Sequence, residues 1–347
     1  MKKAILDLEF EKLEEICLAN NEKKYRAKQI FKWIYGKRVL SFFEMSDISK
    51  QSQAWLDQNF MIDLLVLELV QTSKDGTRKF LFKTLDNHFI ETVLMKHDYG
   101  YSICVTTQLG CNMGCKFCAS GLLKKRRNLS AGEIVDQVLI VSRMLDLEGE
   151  RISNIVVMGI GEPLDNFDNL KAFLKIVNHD LGLGIGARHI TVSTCGLAPM
   201  IKKFVDEFNQ INLAISLHAP NDKLRNKIMP INKIYNIETL FESLNYYASH
   251  SNRRLTFEYI LIKDLNDSVD CAIQLANLIK GLNAYVNLIP YNPVMENDFM
   301  TSSLSVQMKF FDTLMKQGIQ ATLRKEHGSD IDAACGQLRA KRERLEQ

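Results

Sequence analysis

The stretch YSICVTTQLGCNMGCKFC, residues 101–118, joins a short apolar run to three closely spaced cysteines, Cys111, Cys115 and Cys118. Its first seven residues read as a buried β-strand ending at a Gly-containing loop. Two thiols in that loop would suggest a redox pair and four a closed zinc site, whereas three suit a centre with one position left open. Thiolates are soft ligands fit for zinc or an iron–sulfur cluster. Cys104, on the strand itself, is the alternative fourth ligand that would close a zinc site. Eight cysteines in 347 residues are too sparse for a disulfide scaffold and fit a reducing compartment, where metal binding or thiol catalysis is the commoner use.

Downstream, strands and helices alternate. Strand-like runs fall at 101–107, 154–159, 189–194, 212–218, 255–261 and 285–290, with a final one at 319–324. Most are near-continuous apolar runs, as expected of parallel strands covered on both faces. Between them lie helical patterns such as LSAGEIVDQVLIVSRML, where Ser130 and Glu133 have capping-box spacing. The pattern predicts an α/β fold, an incomplete TIM-like (β/α)6 barrel. Upstream, residues 1 to about 60 read as short helices, with Ile30, Trp33 and Ile34 on one face. Runs at 62–71, 78–84 and 88–95, split by the turns KDGT and LDNH, predict a small antiparallel meander. The expected organisation is an accessory region at 1–95, a core barrel at 96–330 and a C-terminal segment at 331–347.

Hydrophobic residues make up 46% and charged residues 24%, which argues for a packed core and against extensive disorder. The start shows no signal-peptide pattern and no apolar run reaches membrane-spanning length, so a cytoplasmic protein without membrane contact is expected. Net charge is only +3, from 44 Lys+Arg against 41 Asp+Glu, and by itself makes no case for nucleic acid. Local clusters do more. Lys124, Lys125, Arg126 and Arg127 follow the cysteines, and Lys23, Lys24, Arg26 and Lys28 lie among the N-terminal helices. Such runs are either solvated flanks or phosphate grips.

In a barrel of this type, functional groups gather at the C-terminal ends of the strands. Those ends carry the cysteine loop, GIGEP (159–163), STCG (193–196), SLHAP (216–220) and PYNP (290–293). The C-x3-C-x2-C spacing after the first strand resembles that of radical S-adenosylmethionine (SAM) enzymes. There, three cysteines hold a [4Fe-4S] cluster and the open iron takes SAM. MGIGEPLDN, ITVSTCG, INLAISLHAPND, VNLIPYNP and GSDIDAACGQL together resemble the RlmN family. The likeness runs from about residue 20 to residue 338, and the Pro of GEP distinguishes it from the related Cfr pattern, which has Ala there.

That resemblance implies methylation of C2 of adenosine 2503 in 23S rRNA and of adenosine 37 in some tRNAs, with two SAM molecules used per turnover and an external electron donor such as flavodoxin or ferredoxin. It implies metal ligands Cys111, Cys115 and Cys118, and SAM contacts from Gly161, Glu162, Ser193, Ser216, Leu217, His218 and Asn292. Cys335 would carry the methyl group, Cys104 would release the product through a transient disulfide with Cys335, and Glu91 would take the C2 proton. Without the family, Cys335 reads as a small buried residue, Glu91 as a surface carboxylate and His218 as a core histidine. Cys17, Cys195 and Cys271 are read as structural. A Cfr-like C8 methyltransferase, a non-methylating radical SAM enzyme and a zinc-stabilised RNA-binding module are the alternatives.

Overall fold

The computed structural model describes residues 2–122, 124–293, 297–324, 328, 330 and 331. Three helices come first: α1 (Phe10–Ala19), α2 (Lys24–Phe31) and α3 (Lys50–Asn59). Helix α2 buries Ala27, Ile30 and Phe31, and the wider turn Lys32–Gly36 after it buries Ile34 and Tyr35. Trp33, expected on the same face, sits half-buried at its edge. There its indole N–H donates to Asp47 and Lys37 Nζ lies 3.5 Å from its ring. An indole carries a donor that must be satisfied, so a wet boundary suits it better than the interior.

Ten strands form one sheet whose spatial order follows the chain. They are β1 (Leu65–Thr72), β2 (Arg78–Thr84), β3 (Phe89–His97), β4 (Gly100–Cys104) and β5 (Ile152–Val157). There follow β6 (Ile190–Thr194), β7 (Asn212–Ser216), β8 (Leu255–Leu261), β9 (Ala284–Pro290) and β10 (Ala321–Leu323). Pairing is antiparallel from β1 to β4 and parallel from β4 to β10. Helices α4 (Ala131–Leu147), α5 (Phe167–Asn178), α6 (Ala198–Glu207), α7 (Asp222–Ile228), α8 (Ile237–His250), α9 (Val269–Ile279) and α10 (Leu304–Lys316) fill the crossovers. The barrel stays open because β4 pairs with β3 on one edge and β5 on the other, which leaves no edge for β10.

The parallel strands are not covered alike on both faces. Ile103, Ile155, Val157, Val192, Leu213, Ile215, Phe257 and Val286 face the helices and are fully buried. Each such side chain contributes about 1.5–3 kcal/mol over its exposed state. The alternate residues, Cys104, Val156, Thr191, Ser193, Ser216 and Asn287, are half-buried on the inner face. Small and polar side chains there leave the interior open, and this corrects the expectation of burial on both faces.

Helix α4 ties the N-terminal half to the barrel. Its capping box is closed, Ser130 Oγ accepting from Glu133 N at 3.2 Å and the Glu133 carboxylate accepting from Ser130 N at 2.9 Å. Asp136 Oδ2 accepts from the backbone N–H groups of Leu64 and Leu65 at 2.9 and 3.0 Å, while Asp7 Oδ1 accepts from Gly132 N at 2.7 Å. One hydrophobic core runs through both halves.

Candidate active site

After β4 the chain is clamped by a two-residue ladder, Gln108 opposite Asn128 and Leu109 opposite Arg127, and the segment between them carries the cysteines. Cys118 N donates to Cys115 O at 3.2 Å and Gly121 N to Cys118 O at 3.0 Å, so the segment coils on itself. A Cβ at Gly121 would come within 2.7 Å of Cys115 O, which leaves this approach to glycine. Cys111, Cys115 and Cys118 are all half-buried. Burial pushes the Cys111 thiol up to about 11 and the Cys115 thiol higher still, and the neighbouring sulfurs add to that cost. Thiols crowded so are poor nucleophiles by themselves, but coordination to a metal deprotonates a thiol outright.

The donor set fits an iron–sulfur centre. No group of three or more His, Cys, Asp or Glu side chains among the described residues gathers as the ligands of one metal ion would. Three soft thiolates on one short segment suit an iron–sulfur centre, and Cys111, Cys115 and Cys118 would be its ligands.

The neighbouring strand ends are cross-linked around the loop. Gly161 has φ +111°, and a Cβ there would strike Gln108 at 2.7 Å. Gln108 Oε1 accepts from Glu162 N at 2.9 Å. The buried Glu162 carboxylate accepts from Leu164 N at 3.1 Å and Cys195 N at 2.7 Å. Burial raises its pKa, and those amides oppose the rise. Its side chain thus serves the rim itself, leaving backbone groups to meet a ligand. Ser193 Oγ donates to Val157 O at 3.0 Å. His218 is buried with φ +57°, its Nδ1 accepting from Ile260 N at 3.1 Å and its ring edge-on to Phe117 of the cysteine loop at 4.7 Å. That bond assigns the proton of the neutral imidazole to Nε2, and burial together with Arg225 pulls the pKa down to about 3. A left-handed backbone at a non-glycine residue stores strain, which is concentrated at functional sites. Asn292 is exposed just beyond β9.

Inside the barrel, register places Lys79, Val93, Cys104 and Val156 in one row across β2, β3, β4 and β5. Glu91, on the same face as Val93, pairs with Lys79 at 3.0 Å, and the two side chains are 3% and 0% exposed. The surface reading of Glu91 is corrected, since both it and Lys79 are buried. Burial pushes the Cys104 thiol up to about 11, a rise offset in part by the positive charges of Arg324 and Lys79 and reinforced by the negative charge of Glu91. Deeper on the row formed by Ser216, Glu258 and Asn287, the Asn287 amide donates to Glu258 Oε1 at 2.9 Å. Cys335 lies outside the described residues. The described chain nearest to it is fastened to the β1–β2 turn, where Asp330 accepts from Ser73 Oγ and from Lys74 N.

The basic run divides. Lys125 pairs with Asp165 at 2.6 Å, and Arg127 forks onto Asp86 and Glu133 at 2.7 Å each. Lys124 and Arg126 are exposed. Among the N-terminal cations, Lys24 pairs with Glu14 and Arg26 with Glu22, while Lys23 and Lys28 are exposed. No described helix is long and apolar enough to cross a membrane.

This geometry has close counterparts. Residues 105–275 match the model of the radical SAM superfamily, and residues 3–62 match that of the ribosomal RNA large subunit methyltransferase N-terminal domain. A Listeria welshimeri protein named "Probable dual-specificity RNA methyltransferase RlmN" is 55% identical over 359 aligned positions, covering 100% of this chain and 98% of that protein. A Spiroplasma citri protein of the same name is 57% identical over 333 positions, covering 96% of each. The crystal structure of a radical SAM methyltransferase from Sphaerobacter thermophilus superposes with a TM-score of 0.93 at 41% identity, covering 96% of this chain and 98% of that one. With an open parallel barrel, a three-cysteine loop at its mouth and relatives matched end to end, the chain belongs to the RlmN family of the radical SAM superfamily.

Proposed function

We propose that this chain methylates C2 of adenosine 2503 in 23S rRNA and of adenosine 37 in tRNA, with Cys335 carrying the methyl group, Cys104 resolving the adduct and Glu91 accepting the C2 proton. The observation that carries this reading is the interior row of Lys79, Val93 and Cys104 with Glu91 beside it, which sets a thiol and a carboxylate in electrostatic reach of each other in an open barrel. The relatives' name supports two RNA substrates, and the match at residues 3–62 supports a ribosomal one.

Adenine C2 lies between two ring nitrogens and is too electron-poor to attack a methyl donor directly. When bound, a [4Fe-4S] cluster and SAM supply the radical chemistry that such a carbon needs. Cys111, Cys115 and Cys118 would hold the cluster. Gly161, Glu162, Ser193, Ser216, Leu217, His218 and Asn292 would surround SAM, two molecules of which are used per turnover. Neutral His218 can then act only as an uncharged contact, since its pKa of about 3 keeps it unprotonated near neutrality. Cys335 takes a methyl group by displacement, and its carbon becomes linked to the base. Cys104 then forms a disulfide with the Cys335 sulfur as the product leaves. Glu91 acts as general base, held by Lys79. Residues 1–95 and the exposed Lys23, Lys28, Lys124 and Arg126 would grip RNA phosphates, 96–330 form the core barrel and 331–347 deliver Cys335. Reduction would come from flavodoxin or ferredoxin in the cytoplasm.

The test is Cys104→Ala. Protein purified from cells should carry covalently linked RNA, seen as a nuclease-sensitive slow band with adenosine on the Cys335 peptide. A variant methylated at Cys335 but free of RNA would move the resolving role away from Cys104.

A further inference from the structure

Arg225 lies in α7 with none of its side chain exposed. Its guanidinium donates to Cys195 O at 2.7 Å, to Leu217 O at 3.2 Å and to Asn232 Oδ1 at 2.8 Å, with Ser216 O at 3.4 Å. These are backbone and amide oxygens. Among the described residues no carboxylate pairs with it directly, and Asp222 is reached through Asn232, whose Nδ2 donates to Asp222 Oδ1 at 2.8 Å. Burial works against its charge, and the groups that favour that charge are Cys195, Cys115 and Asp222. A cation out of water without an ion partner is costly, and a stretch of chain that keeps one has a use for it.

The helix that carries Arg225 abuts the cysteine loop. Lys116 N donates to Ile228 O at 2.9 Å, and Ile228 and Met229 pack in one cluster with Met113, Cys115 and Phe117. Gly196 leaves room for the guanidinium, since a Cβ there would stand 3.2 Å from Arg225 Nη2. We propose that Arg225 is a positioning and tuning residue: it fixes the carbonyl rim at the ends of β6 and β7, and its charge compensates the anionic centre held by Cys111, Cys115 and Cys118, raising that centre's reduction potential.

The inference rests on the reading of the cysteine loop as the cluster site. Three thiolates and a sulfide core carry net negative charge, and each reduction adds one more. A fixed positive charge in a low-dielectric setting therefore stabilises the reduced state more than the oxidised one, and net charge is among the determinants of cluster potential. The paired Lys125 and the exposed Lys116 are better screened, which leaves Arg225 as the buried charge on this side of the loop.

The test uses the full chain with its cluster reconstituted anaerobically, iron and sulfide counted, and the midpoint potential read by a redox titration followed by the reduced cluster's electron paramagnetic resonance. Arg225→Gln should make one-electron reduction about tenfold less favourable, a fall of ~59 mV. Arg225→Lys should restore most of the loss. Asp222→Asn, whose Oδ1 can still accept from Asn232 and Ile237, should shift the potential upward by a smaller factor. A Gln variant within twofold of the parent, or an Asp222→Asn shift of zero or downward, overturns the proposal. Should Arg225→Gln fail to hold a cluster, the Lys and Asp222→Asn variants decide by the same signs. A parent chain that binds no iron instead refutes the cluster reading itself, an outcome distinct from a cluster whose potential does not move.

Discussion

Replacing Lys79 by methionine removes the cation 3.0 Å from Glu91 while nearly keeping its volume. Both side chains are out of water, at 0% and 3% exposure, so neither charge can turn to solvent when the other is lost. Breaking a buried pair from one side costs about 3–5 kcal/mol. Glu91→Gln should cost a similar amount by removing the carboxylate that faces the buried ammonium group. Removing both together should cost less than the sum, because the double variant buries no unpaired charge from this pair. Coupling of about 2 kcal/mol lies within the range for residues that touch. Urea unfolding of the parent, both single variants and Lys79→Met/Glu91→Gln, followed by intrinsic fluorescence, measures it. Costs that add within about 0.5 kcal/mol would show that the two charges do not support each other, and the case for a Lys79-held base would go with them. The Gln variant should also keep SAM cleavage while losing methylated RNA.

Cys111→Ala, Cys115→Ala and Cys118→Ala should each abolish SAM cleavage, since a cluster short of one thiolate is lost or altered; normal 5′-deoxyadenosine production by any of them would contradict the site. The basic run should split according to its ion pairs. Substituting exposed Lys124 and Arg126 by Ser should lower the slope of log affinity for RNA against log salt by roughly 0.7–0.9 for each RNA phosphate left unneutralised, whereas Arg127→Ser should lower stability through Asp86 and Glu133. Identical behaviour of the three in both assays would undo that division. Burial raises the Asp136 carboxyl from 3.8 to about 7. Because the folded value lies above the unfolded one, its contribution to stability is present below about pH 4 and is lost as pH rises to 7. Asp136→Asn cannot lose a proton, so thermal melts should show it gaining on the parent across that window, and a constant difference would refute the assignment.

The strands are legible in the sequence because apolar runs bounded by turns survive in any tertiary context, and Ser130 with Glu133 is legible because a capping box is local. The cysteine loop can be read from spacing, since ligands from one segment need no partner elsewhere in the chain. Register does not show. Glu91 looks like a surface acid until β2 and β3 are aligned and Lys79 falls opposite Val93. Arg225 carries no local signal, for its meaning comes from carbonyls on two other strand ends and from the loop against α7. The run at 124–127 reads as a block, yet Arg127 belongs to the cap of α4 and Lys125 to Asp165, pairings that composition does not distinguish.

The purified, anaerobically reconstituted protein can be incubated with SAM, a reductant and a 23S rRNA fragment that contains adenosine 2503, and the nucleosides separated by mass spectrometry against 2-methyladenosine and 8-methyladenosine standards. The account predicts 2-methyladenosine at that position, formed only when Cys335 and Cys104 are both present. Formation of 8-methyladenosine, or of no methylated adenosine while SAM is cleaved, would contradict it.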